Sequence, residues 1–142
     1  MRSVNPYLNF NGNSEEAFNF YKSVFGGEFL TVMRFKDTAQ GENLSAEEGE
    51  KIMHIALPLG KNNVLMATDV LGSIGQKLVM GNNFYISLDA ESEEEGKQLF
   101  EKLSEGGKAH HPFEKQFWGA WHGNLSDKFG VKWMINYNPQ QP

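Results

Sequence analysis

The chain has four histidines and no cysteine, which limits its nucleophilic and metal chemistry. Without cysteine there is no disulfide, no thiolate ligand and no cysteine nucleophile. His54 sits inside "IMHIALPL", residues 52–59. Strand alternation puts Met53, Ile55 and Leu57 on one face, with His54 and Ala56 on the other. If the Met/Ile/Leu face packs on a helix, His54 faces a cavity, as a ligand contact or a general base. A structural hydrogen bond at a module interface is the competing reading. His110 and His111 are adjacent, so in a strand they point to opposite faces and cannot share one metal ion. One exposed and one packed ring is expected. His122 lies in "FWGAWHGNL", residues 117–125, where it shares a face with Trp118 and Ala120. It is either part of a cavity wall or simply packed.

Aromatic and amide side chains add candidates. Trp118 suits a binding surface, because ring faces stack on flat ligands. Trp133 is expected in the core. Asn5, Tyr7 and Asn9 form the polar face of the first apolar run, where they need water, a ligand or each other. The acidic run Glu91–Glu95 reads as a solvated helix start, favoured by the helix dipole, and not as a metal site. Residues 37–51, "DTAQGENLSAEEGEK", form a polar acidic loop. It is long enough to be a mobile lid, or plain disorder.

These residues are carried by a sentence written twice. "VNPYLNF" alternates, with Val4, Pro6, Leu8 and Phe10 on one face. A helix follows, capped by Asn13 or Ser14, with the stripe Ala17, Phe20, Tyr21 and Val24 and a stop at Gly26-Gly27. "EFLTVMRF", "IMHIALPL" and "NVLMATD" are three further strands. The second half repeats the order: the strand "NNFYISLD", then a helix with Ser92 and Glu95 as a capping box and Gly106-Gly107 as its stop. "KAHHPFEK", "FWGAWHGNL" and "VKWMINY" complete it, the last two joined by a turn at Asp127-Lys128-Phe129-Gly130. The spacing predicts an α+β chain of two βαβββ modules, residues 1–76 and 77–142, within a single domain. One helix covers one face of each sheet, which leaves a second, concave face for a small ligand.

Composition narrows the class. Apolar residues make up 39% and aromatic residues 13%, enough for a packed core. The net charge is −5 and no basic cluster exceeds two residues, which argues against a nucleic-acid surface. No apolar stretch reaches transmembrane length and the first residues lack a signal-type apolar region, so a soluble cytoplasmic chain is the expectation.

"NPYLNFNGNSEEAFNFYKSVFGGE", "KIMHIALPL…VLMATD" and above all "FWGAWHGNLSDKFGVKWMIN" resemble the PhnB-like branch of the vicinal oxygen chelate superfamily, which includes glyoxalase I, extradiol dioxygenases and bleomycin-resistance proteins. Members of this branch often carry the label 3-demethylubiquinone-9 3-methyltransferase. The resemblance covers nearly the whole chain. It implies a paired βαβββ fold, a homodimer, and metal ligands from the first and last strands of each module. Here those places fall on Asn5, Met66, Asn83 and Met134, which pair as Asn with Asn and Met with Met. The metal-using pattern needs His, Glu or Gln there. Thioethers suit copper(I), and two Asn without a carboxylate make a weak uncharged site.

The expectation is therefore a metal-free small-molecule-binding protein, with no cofactor. Its ligand would contact Asn5, Tyr7, Asn9, His54, Met66, Trp118 and His122, with His54 the candidate should there be catalysis. A metal-dependent lyase, isomerase or dioxygenase using His54 or His122 is the alternative. A methyltransferase, as the label states, is the third reading, but no G-x-G-x-x-G stands between a strand and a helix.

Overall fold

In a computed structural model, residues 1–140 are described. The chain is α+β and divides into two compact units, Met1–Val79 and Met80–Pro142. Each unit is one copy of the repeat. Unit 1 holds β1 (Tyr7–Phe10), α1 (Ser14–Phe25), β2 (Thr31–Arg34), the short helix α2 (Ala46–Gly49), β3 (Ile52–Leu59) and β4 (Asn63–Asp69). Unit 2 holds β5 (Ile86–Asp89), α3 (Glu93–Ser104), β6 (Lys108–Lys115), β7 (Trp121–Ser126) and β8 (Lys132–Tyr137). The sheets have the orders β1-β4-β3-β2 and β5-β8-β7-β6. In each, the first pair is parallel and the others antiparallel. Among the described residues, no helix is long and apolar enough to cross a membrane.

In unit 1 the helix packs on β3 and β4. Alternation sends Ile55, Leu57, Leu65 and Ala67 into that layer, all fully buried. The buried stripe of α1 is Ser14, Ala17, Phe18 and Tyr21. Phe18 thus replaces the expected Phe20 and Val24, both only half-buried. The reason lies at the helix start. Asn13, the N-cap residue, makes no side-chain cap. Instead Asp69, at the end of β4, accepts from the Ser14 N–H (3.0 Å) and the Ser14 hydroxyl (2.6 Å). This cap from a remote strand turns the face of residues 14, 17, 18 and 21 inward. α3 keeps the local device: the Ser92 hydroxyl accepts from the Glu95 N–H, while Glu95 reaches back to the Glu91 N–H rather than to that of Ser92.

Several strands are shorter than their apolar runs. Val4 is 74% exposed and precedes β1. β7 begins at Trp121, because Gln116–Ala120 close a turn in which Gly119 takes φ +95°. The loop 37–51 is folded into two 3-10 turns, Phe35–Asp37 and Ala39–Gly41, followed by α2. Ser45 caps α2 by accepting from the Glu48 N–H.

Candidate functional site

Each sheet has a face turned away from its helix. In sheet 1 the ladder partners Tyr7, Met66, Ala56 and Thr31 form one row across that face. Asn9 with Thr68 and His54 with Met33 form the next. Neither row contains Asp, Glu, Lys or Arg. The two rows are joined where the Tyr7 hydroxyl and His54 Nδ1 lie 3.0 Å apart in a hydrogen bond. The two rings are tilted, with centroids 5.7 Å apart. Burial pushes the Tyr7 phenol above its ordinary value, so it stays protonated at neutral pH.

Sheet 2 repeats the arrangement. Met134 pairs with Ser87 and Asn124 as Met66 pairs with Tyr7 and Ala56. By the same registers His122 stands where His54 stands. It is bonded differently, however. The Asn124 amide donates to His122 Nε2 (3.2 Å), and His122 Nδ1–H donates to the Asn136 carbonyl oxygen (2.9 Å). Asn136 passes the chain on to the Ser87 hydroxyl (2.9 Å). Both ring nitrogens are thus used within the unit. His111 lies beside it, with ring centroids 5.7 Å apart. His110 leaves for the other side and bonds the Ser126 hydroxyl at 2.8 Å.

The expected contacts fare differently. Tyr7, Asn9, His54 and Met66 share the face of sheet 1 described above. Asn5 does not join them. It precedes β1, its carbonyl oxygen accepts from the Val64 N–H (2.9 Å), and its amide donates to the Ser3 hydroxyl (3.0 Å). Its amide is occupied in closing the end of the sheet. Trp118 is not in a strand with His122. It lies in the β6–β7 turn, 60% exposed, edge-on to Phe117, with ring centroids 4.9 Å apart. Trp133 is fully buried and donates its indole N–H to Asp127 at 2.8 Å.

The four superfamily ligand places do not make a metal centre with these residues. Asn83 is exposed and precedes β5. The registers align Tyr7 with Ser87, so Asn5 and Asn83 are not equivalents; Met66 and Met134 are. Met66 and Met134 each bring one thioether, a soft donor that poorly suits a divalent ion in an N/O site. Among the described residues, no group of three His, Asp or Glu is placed to hold one. The methyltransferase label finds no cradle either. The β1–α1 junction carries one glycine, Gly12, and a side chain there would meet the Lys51 ammonium.

A second, polar cleft of about 390 Å³ lies at the end of sheet 1, against α1 and α2. Arg34 spans it, donating to both oxygens of Glu15 (3.1 and 2.6 Å) and to the Glu50 carbonyl (2.8 Å). The Arg34 hydrogen bond holds the Glu15 carboxyl below its ordinary range. Sequence reading missed this cluster, because its members are 16 and 19 residues apart with no periodic signal. The equivalence of the histidines did leave a signal: His54 precedes Met66 by the same twelve residues that separate His122 from Met134.

The family profile described as 3-demethylubiquinone-9 3-methyltransferase matches residues 2–136. Protein YjdN of Escherichia coli K12 is 33% identical, over 98% of this chain and 97% of its own length. The crystal structure of PA1353 from Pseudomonas aeruginosa superposes with a TM-score of 0.82 at 36% identity, covering 96% of this chain and 97% of that one. A Bacillus cereus PhnB protein, described as a putative 3-demethylubiquinone-9 3-methyltransferase, gives 0.76 at 24% identity, covering 95% and 98%. Solved glyoxalase-related and glyoxalase/bleomycin resistance proteins share the fold at 16–19% identity, with TM-scores of 0.58–0.66. The family match over residues 2–136 and the 33% identical relative place the chain in the PhnB-like family described as 3-demethylubiquinone-9 3-methyltransferase, with the fold that glyoxalase/bleomycin resistance proteins share.

Proposed function

We propose that this chain is a metal-free small-molecule-binding protein of the glyoxalase/bleomycin-resistance type. Its ligand rests on the face of sheet 1 that α1 leaves uncovered, against Tyr7, Asn9, His54 and Met66. The observation that carries the reading is the Tyr7–His54 hydrogen bond at 3.0 Å, made on that face with no carboxylate in either row. His54 Nε2 has no hydrogen-bond partner among the described residues, so it is available to a ligand. His122 holds the corresponding place on sheet 2, with both ring nitrogens hydrogen-bonded within its own unit. Two copies of the chain associate, covering apolar side chains that are exposed in one copy.

A thermal-shift screen of organic ligands, repeated with Tyr7→Phe and His54→Gln, tests the reading. A binder at a hundredfold excess over Kd stabilises by about 2.7 kcal/mol. That gain should shrink in both variants. Metal analysis after purification without chelator should give well under one divalent ion per chain. A stoichiometric, tightly held ion would instead favour the metal-dependent alternative.

A further inference from the structure

We propose that Ser126 is a nucleophile that takes an acyl group from a small activated ester, with His110 as its base and Lys132 as the donor to the oxyanion. The site lies within unit 2 and is independent of the binding reading above. At the end of β7, Ser126 is the ladder partner of Lys132 on β8 and of Lys108 on β6. The β6–β7 register then slips by one residue: Ala109 pairs with Leu125, but His111 pairs with Asn124. His110 is the extra residue of this bulge, and a bulge re-aims the side chain it carries. His110 Nε2 lies 2.8 Å from the Ser126 hydroxyl. The Lys132 ammonium donates to the same oxygen at 3.1 Å. An ammonium can only donate, so the hydroxyl hydrogen is left for the histidine. In the reactive form Nε2 accepts that hydrogen and Nδ1 carries the imidazole proton. This is how an adjacent base activates a weak hydroxyl nucleophile.

Lys132 supplies the second requirement. Its ammonium lies 5.7 Å from the centre of the Tyr85 ring, which helps to hold it in place. Ser126 takes one of its N–H groups, and the others remain for an oxygen that gains charge beside Oγ. As Oγ bonds to the carbonyl carbon, its proton passes to Nε2 and the carbonyl electron pair moves onto oxygen, beside the ammonium. The pair then returns, the ester C–O bond breaks, and the leaving alcohol takes the proton from His110. The acyl group stays on Oγ, and His110 is neutral again. His110 is exposed, and Ser126 and Lys132 are half-buried, so a small ester can reach the oxygen from water. His122 cannot serve as this base, because Asn124 and Asn136 hold both its nitrogens.

The test adds p-nitrophenyl acetate to the full-length protein and follows nitrophenolate release, with peptide mapping by mass spectrometry. The expected result is an acetyl group on Ser126 of the parent, and none at that peptide in Ser126→Ala. His110→Gln keeps a hydrogen-bonding side chain but not a base, and Lys132→Met keeps the length but not the charge. Each should slow acetylation of Ser126 by about tenfold or more, with an unchanged circular dichroism spectrum. A fluorophosphonate, which loses fluoride to an activated serine and spares lysine, should label the same peptide of the parent. Acetyl groups on lysines alone, or a fluorophosphonate that leaves Ser126 unlabelled, overturns the proposal without recourse to any variant. So does a folded His110→Gln protein that acetylates Ser126 within about twofold of the parent rate. Any of these failures leaves the Tyr7–His54 face untouched, since its thermal-shift screen reads a different unit.

Discussion

Asp69 is 2% exposed, and its two oxygens take three donors: the Ser14 N–H, the Ser14 hydroxyl and the Ile52 N–H (2.8 Å). It joins the start of α1 to the start of β3 and sets which face of the helix turns inward. Asp69→Ala leaves those donors buried without an acceptor, so unfolding in urea should show a loss of about 3–5 kcal/mol. Asp69→Asn keeps the shape but turns an amide N–H₂ toward one donor, for a loss of about 1–3 kcal/mol. An alanine variant within experimental error of the parent would refute this role. Nothing in the sequence marked Asp69, because Ser14 lies 55 positions away and neither residue breaks a local pattern. The faces of Tyr7 and His54 within their strands were legible from alternation, whereas Met66 entered through the family resemblance. Trp118 and Asn5 were misplaced because alternation was extended past the strand ends. The pair Glu15–Arg34 makes a separate prediction in acid. Its hydrogen bond lowers the Glu15 pKa in the folded state below the ordinary 4.5. The stability it contributes is therefore present above that value and lost as pH falls through the lowered one. Glu15→Gln should flatten the acid limb of stability below about pH 4.5, leaving the neutral region little changed. Glu15 is half-exposed, so solvent screening keeps the effect small.

The elements were read most accurately where alternation runs without glycine. β3, β4 and β6 have the bounds their apolar and polar pattern implies. β7 does not, because a positive-φ glycine ended the strand inside an aromatic run that looks continuous in one dimension. The 37–51 segment read as a loop because its turns are held by single polar contacts. Thr38 bonds the Phe35 carbonyl, and Lys36 pairs with Glu50 at 2.6 Å. In unit 2, Phe113 stacks on Phe100 of α3 and on Trp121 of β7. Two glycines make room for it. A side chain at Gly123 would lie 2.8 Å from the Phe113 backbone nitrogen and Cα, which cannot yield without breaking the β6–β7 ladder. At Gly96 the obstacle is the outer edge of the Phe113 ring, which can tilt. Gly96→Ala should therefore cost about 1–3 kcal/mol and Gly123→Ala more, in chemical denaturation. The reverse order would mean that Phe113 is not the element that fixes the spacing of helix and sheet.

At the scale of the whole molecule, each unit separates a helix-facing row that holds the fold from a row on the opposite face. The scaffold needs the helix-facing rows, such as Leu65 with Ala67 and Trp133 with Ile135, and these are fully buried in both units. The opposite rows are free to vary, and they hold Met66 and Met134 at matching registers. The same freedom leaves large apolar side chains in contact with water: Leu30 and Val32 near and on β2, Phe84 before β5, and Phe117 with Trp118 at the β6–β7 turn. Phe117 is 97% exposed, and its edge-on contact with Trp118 covers little of either ring. Two aromatic rings presented together at a hairpin tip favour burial against another surface over solvation. With a second copy of the chain as that surface, closed two-fold symmetry hides both tips at once. Light scattering at micromolar concentration should therefore give twice the 16.0 kDa chain mass. Phe117→Ser with Trp118→Ser should shift the dimer toward monomer at least tenfold in dissociation constant, because rings buried at an interface contribute about 1–2 kcal/mol each. The urea midpoint measured on dilute monomer should change little, since the tip supports no core contact. A parent protein that runs as a monomer across that range would refute the assembly, and leave the Tyr7–His54 face to be tested on its own.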